Sequence, residues 1–159
     1  MPDPTDNVLC FSYGSNMSSR YLRQFCPSAT AVMTATLPNA HIEFRRFSTD
    51  LNGGISTIVE APGEIVHGIL YMINGIDIDH LDLLEDVAKG LYVRETYLVL
   101  GKDNTWHSAD LYRAGELEGP FEPAPQYISW MVEGAREHGL PPDYITEIEG
   151  FSRSNSNQS

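Results

Sequence analysis

The chain has 159 residues, enough for one domain whose hydrophobic core needs neither metal nor disulfide to hold it. With 42% hydrophobic, 10% aromatic and 20% charged residues, it has the composition of a globular protein and not of a disordered one. Twenty-two acidic against ten basic side chains give a net charge of -12, a field that repels nucleic-acid backbones and anionic lipid, and no apolar run is long enough to span a bilayer.

Residues 1–7 carry prolines and aspartates where a secretory signal would carry positive charge and then an apolar run, so they read as a loose leader of a cytoplasmic protein. Residues 8–13 form a short buried strand that ends at Gly14-Ser15-Asn16; Ser18 or Ser19 then caps a helix through Tyr21, Leu22 and Phe25 up to Pro27. Cys10 and Cys26 lack the CxxC or Cys/His spacing of a zinc site, and two thiols make no disulfide framework, which fits a reducing compartment. Residues 31–37 and 41–47 are strand candidates separated by Pro38-Asn39, and 55–60 and 65–73 are two more separated by a Pro62-Gly63 turn. Apolar spacing over 77–88 predicts an amphipathic helix stopped by Gly90, after which strands return at 92–100 and 106–113. Two helices close the chain, the first opened by Pro125 and stopped by Gly139, the second opened by Pro141-Pro142. Residues 151–159, mostly Ser and Asn, read as a disordered tail. Residues 8–150 are thus expected to form a single α+β domain, a mixed, mostly antiparallel barrel-like sheet with flanking α-helices.

Two segments could carry chemistry. The run Phe11, Ser12, Tyr13, Gly14, Ser15, Asn16 places small and amide side chains where a buried strand turns into a helix, and backbone amides there can hold a carboxylate or an oxyanion. A plain turn, with Gly14 needed for geometry and Asn16 or Ser15 capping the next helix, is the commoner reading of the same residues, because glycine turns before helices are frequent. On the 77–88 helix, Ile78, Leu81, Leu84, Val87 and Ala88 make the apolar sector and Asp79, Asp82 and Asp86 the polar one; Glu85 falls at their boundary. It is either a surface acid or a partly desolvated carboxylate with a pKa raised toward neutrality. Tyr92, Tyr112 and Tyr127 are packing aromatics or pocket phenols. The five histidines show no HExxH or paired-ligand spacing, no serine sits in a GxSxG elbow, and neither cysteine has a partner that would mark it as a nucleophile, so neither metal nor covalent chemistry is expected.

FSYGSNM at 11–17 and LDLLEDVAKGLY at 81–92 together resemble the two signature segments of the γ-glutamylcyclotransferase family, and 52–73 and 124–145 follow in the same order with similar Gly, Pro and Tyr positions. The likeness spans about residues 9–148. It implies a mixed barrel with flanking helices, no metal and no cofactor, and one essential glutamate at Glu85. By the same resemblance the γ-glutamyl group lies against Phe11 to Asn16, Tyr127 contacts substrate, and Tyr92 and Tyr112 are pocket neighbours. The implied reaction closes the γ-glutamyl group of a small amide into 5-oxoproline and frees the amine. A γ-glutamylamine or natural-product substrate on the same fold, or a non-catalytic binding member, are the alternatives, and a homodimer stays open. Leaving-group walls are expected from residues 47–52 and 114–123. Family members usually have glycine directly after the glutamate, where this chain has Asp86.

Overall fold

The computed structural model describes residues 6–156. The strands β1 (Asn7–Ser12), β2 (Thr30–Ser48), β3 (Gly53–Asn74), β4 (Tyr92–Gly101) and β5 (Trp106–Ala114) close into a barrel in the order β1-β3-β2-β4-β5. The pairings are antiparallel except where β1 meets β5 in parallel, Cys10 opposite Asp110. This is the α+β, mixed barrel expected from the sequence. Its helices are α1 (Ser19–Leu22), α2 (Gly75–Leu84), α3 (Pro125–Glu137) and α4 (Pro142–Ser156). No helix among the described residues is long and apolar enough to cross a membrane.

Strand alternation divides the core in two. Phe11, Leu37, Val66, Leu70, Val99 and Leu111, drawn from all five strands, gather into one cluster and fill the barrel. The opposite faces, with Ile69, Tyr71 and Ile73, seat Ile78 and Leu81 of α2, Ile128 and Met131 of α3 and Ile148 of α4. Each such aliphatic side chain contributes roughly 1.5–3 kcal/mol by leaving water, which is what fixes the short α2 on the barrel.

The strand candidates on either side of Pro38-Asn39 are one strand, because Asn39 takes a left-handed conformation (φ 59) and the ladder shifts register between Pro38 and Ala40 without ending. Opposite it, Gly63 (φ 86) donates its N–H to Asn39 Oδ1 at 3.0 Å, so Pro62-Gly63 is a bulge inside β3 and not a turn between strands. The helix after the first strand is shorter than its apolar spacing suggests; Ser18 caps it, its Oγ accepting the Tyr21 N–H at 3.2 Å, and irregular turns carry the chain on to Pro27. Asn7, expected in the leader, pairs with Asn74 in the sheet. Residues 1–5 and 157–159 of the expected leader and tail lie outside the described residues, and α4 continues to Ser156 through positions read as tail.

The largest correction concerns the helix of Glu85. Asn74 Oδ1 caps α2 by accepting the Asp77 N–H at 2.9 Å, and the helix stops at Leu84, not at Ala88. Glu85 occupies its C-terminal cap (φ -85, ψ 3), and Asp86 is left-handed (φ 53, ψ 41) before a short 3-10 turn over Val87–Lys89. Leu84 and Ala88, assigned to the apolar sector, are exposed as a result.

Candidate active site

A cleft of about 670 Å³ opens where the end of β1, the end of α2 and the start of α3 converge. After Ser12 the chain turns through residues 13–16 into a 3-10 turn, Ser15–Met17, and the wall it makes is packed from behind by α3. Gly134 permits that approach: a Cβ there would lie 2.2 Å from the Met17 carbonyl carbon and 2.4 Å from the Ser18 nitrogen. Gly14 is needed for the same kind of reason. A Cβ on it would lie 2.3 Å from the Tyr127 hydroxyl and 2.7 Å from Ser56 Oγ, and its φ of -107 demands no glycine. The Tyr127 hydroxyl, on the first turn of α3, is 2.7 Å from Ser56 Oγ. The Ser56 carbonyl in turn accepts the Tyr92 hydroxyl at 2.8 Å.

The Glu85 carboxyl faces the same cleft, half-buried, from the break that ends α2. Burial away from water pushes its pKa up to about 7; a hydrogen bond with the Asn16 amide side chain pulls it down, and the neighbouring carboxylates of Asp86 and Asp82 push it up again. Asp82 anchors this segment. It accepts the Tyr112 hydroxyl at 2.6 Å and pairs with Arg94 at 3.1 Å, and Arg94 reaches on to Asp110 at 2.7 Å. A carboxylate near neutrality, beside amides that follow a strand, can both take and return a proton at physiological pH.

The geometry has counterparts among known proteins. Residues 65–148 match the AIG2-like family. A gamma-glutamylcyclotransferase from Bos taurus is 32% identical over 150 residues, covering 92% of this chain and 79% of the relative, and one from Homo sapiens is 31% identical over the same shares. The chain belongs to the γ-glutamylcyclotransferase family. A solved gamma-glutamyl cyclotransferase superposes with a TM-score of 0.86 at 28% identity, covering 91% of this chain and 87% of that one. The chain is accordingly an enzyme of the γ-glutamylcyclotransferase type.

Every site residue expected from the sequence lines the cleft: Glu85, Phe11, Ser12, Tyr13, Gly14, Ser15, Asn16, Tyr92, Tyr112 and Tyr127. They do not offer the same thing. The Tyr112 hydroxyl proton is committed to Asp82, that of Tyr92 to the Ser56 carbonyl and that of Tyr13 to the Tyr112 carbonyl, whereas the Tyr127 hydroxyl shares its hydrogen bond with the Ser56 hydroxyl. The expected second wall, 114–123, contributes no lining residue. It instead braces the first, 47–51: the Phe121 N–H donates to the Phe44 carbonyl at 2.9 Å, the Gly54 N–H to the Glu122 carbonyl at 2.7 Å, and the Phe47 and Phe121 rings meet edge-on at 5.6 Å. Sequence reasoning missed Ser56 and the aromatic group Tyr21, Phe25 and Trp130, which also line the cleft. The three-residue step from Tyr127 to Trp130 was the available sign of the latter, since it puts both rings on one face of a helix. Cys10 lines the cleft too, but burial raises its thiol pKa well above the usual range and leaves it protonated and unreactive. The family's glycine after the glutamate also acquires a reason: the position is left-handed, and Asp is among the few other residues that tolerate it.

Proposed function

We propose that the enzyme cyclises the γ-glutamyl group of a small γ-glutamyl amide to 5-oxoproline and releases the amine. In such a substrate the α-nitrogen itself reaches the γ-carbonyl, so the protein has to provide geometry, charge stabilisation and proton transfer but no nucleophile. Glu85 accepts a proton from the α-ammonium, and the freed amine attacks the γ-carbon to form the ring carbon–nitrogen bond. Backbone amides of residues 13–16 hold the substrate carboxylate or the oxyanion that develops on the γ-oxygen. Glu85 returns the proton to the departing nitrogen as the γ-carbon–nitrogen bond breaks, and the ring nitrogen sheds a second proton, which also ends on the released amine. No co-reactant is consumed. The observation that carries this reading is a single carboxyl group with a pKa of about 7 in the same cleft as the residue 13–16 turn.

The test is release of 5-oxoproline from a panel that includes γ-glutamyl-alanine, γ-glutamyl-tyrosine and γ-glutamyl-methylamine. Product from at least one of them, abolished by Glu85→Gln in a folded protein, is the expected result. Absence of product from all of them overturns the reading.

A further inference from the structure

The cleft changes character between its inner and outer ends. Inside lie the buried Ser12, Tyr13, Ser15 and Ser56, with the hydrogen-bonding groups that a zwitterionic glutamyl head requires. At the mouth stand Tyr21, Phe25 and Trp130, each partly exposed. Tyr21 lies over Trp130 with ring centroids 4.1 Å apart and planes tilted by 30°, and Phe25 meets Tyr21 edge-on at 5.2 Å. The group is fixed in place by α3, where Glu133 pairs with Arg20 at 3.0 Å and accepts the Ser18 hydroxyl, and Glu137 accepts the Ser19 N–H at 3.0 Å.

Charge along the cleft is one-sided. Asp50, Glu85 and Asp86 line the cleft, and among the described residues that line it there is no Lys, Arg or His. The cations nearest to the wall in sequence are engaged elsewhere: Arg20 with Glu133, Arg23 through its Nε with the Ala29 carbonyl at 3.1 Å, and Arg46 with Glu118 at 2.8 Å and the Leu91 carbonyl at 3.1 Å. The α-carboxylate of a γ-glutamyl group can use the backbone of residues 13–16. A second carboxylate, on the leaving part, would meet acids and find no cation, and desolvating it there is unfavourable.

We infer that the outer half of the cleft is a leaving-group subsite for an aromatic amine without a carboxylate, so the preferred substrates are γ-glutamyl arylalkylamines and not γ-glutamyl amino acids or peptides. This rests on the cyclisation reading above. The amine leaves as an ammonium ion, which the acidic lining of the cleft attracts, while its ring lies on the wall of Tyr21 and Trp130.

The test compares γ-glutamyl-tyramine with γ-glutamyl-tyrosine, which differ in one carboxylate, and with γ-glutamyl-methylamine, which lacks the ring, each followed by 5-oxoproline release. The tyramine derivative should exceed both others in kcat/KM by about tenfold or more, a usual scale for a difference of one group in a pocket. Trp130→Leu should reduce its advantage over the methylamine derivative. Gln24→Lys, which places a cation on an exposed residue of the wall, should raise turnover of the tyrosine derivative relative to that of the tyramine derivative. Equal or better turnover of γ-glutamyl-tyrosine in the unmodified enzyme, or ratios unmoved by either variant, would overturn the subsite while leaving cyclisation intact. No product from the tyramine derivative while another compound is turned over would overturn the subsite alone; no product from any of these three or from γ-glutamyl-alanine would overturn both.

Discussion

The two sides of the cleft are built on opposite plans. The turn after β1 is wedged: Ser12, Tyr13 and Ser15 are buried, Gly14 touches the Tyr127–Ser56 pair, and α3 rests on Met17 and Ser18 across Gly134. The Glu85 side is the frayed end of a short helix, with Leu83 71% and Leu84 41% exposed and a left-handed Asp86 just beyond. One side thus has fixed positions, as donors aimed at developing charge must have. The other side is set chiefly by the Asp82 anchor and by electrostatics, which suits a group whose task is to change protonation state. Damage to the first side should therefore appear as lost structure and lost rate together, and damage to the second as a changed pH profile.

The largest effect is expected from Glu85→Gln. On the proposed mechanism kcat falls by about 10²–10⁴, the range that proton transfer by a positioned side chain contributes. The same variant should be more stable than the parent at alkaline pH. Because the folded pKa of about 7 lies above the ordinary 4.5, the folded state holds this proton more tightly than the unfolded one; the resulting stability is complete below pH 4.5 and is lost as pH rises through 7. Denaturant melts at pH 4.5 and pH 8 should show almost no gain for Glu85→Gln at the lower pH and about 3 kcal/mol at the higher. A gain that is equal at both pH values would show that Glu85 ionises normally. Next in size is Gly134→Ala. The new methyl overlaps backbone, so α3 must move off the turn; a loss of about 1–3 kcal/mol together with a fall in kcat is expected from melting and rate measurements. A stable variant with normal turnover would mean that the turn need not be wedged.

A smaller effect distinguishes the anchor. Tyr112→Phe removes the 2.6 Å hydrogen bond to Asp82 and should cost about 1 kcal/mol of stability, with the acid limb of kcat/KM displaced, since Asp82 and Glu85 belong to one segment. If the limb stays in place, the ring of Tyr112 serves packing alone.

How much of this was legible in sequence follows the same division. The turn could be read, because glycine and small residues between a buried strand and a capping serine are a local pattern, and Ser18 does cap α1. The barrel could be read from alternation, but the continuity of β2 and β3 could not, since Pro38-Asn39 and Pro62-Gly63 have turn chemistry and only their pairing across the sheet makes them bulges. The end of α2 was misplaced because Val87 and Ala88 continue the apolar period, and nothing local tells that Asp86 will turn left-handed. The placement of Glu85 in the cleft came from the paired motifs, whereas its pKa depends on burial and on Asn16, Asp82 and Asp86 together, a tertiary property. The aromatic mouth was missed for the same reason: Tyr21 and Trp130 are distant in sequence and meet only through α1 against α3.

The smallest predicted effect, at Asp86, separates backbone from charge. Asp86→Gly relieves a left-handed residue and should stabilise the fold by about 1 kcal/mol; Asp86→Asn, which tolerates the same conformation, should leave stability almost unchanged. The Lys89 pair that both variants lose is exposed, at 3.8 Å, and contributes little. Both substitutions remove a negative charge that raises the Glu85 pKa, so both should move the acid limb of kcat/KM to lower pH by a similar amount, and the active fraction at pH 6 should rise. A limb that moves in Asp86→Gly but not in Asp86→Asn would assign the effect to the backbone, and Asp86 would then tune the position of the carboxylate and not its proton affinity.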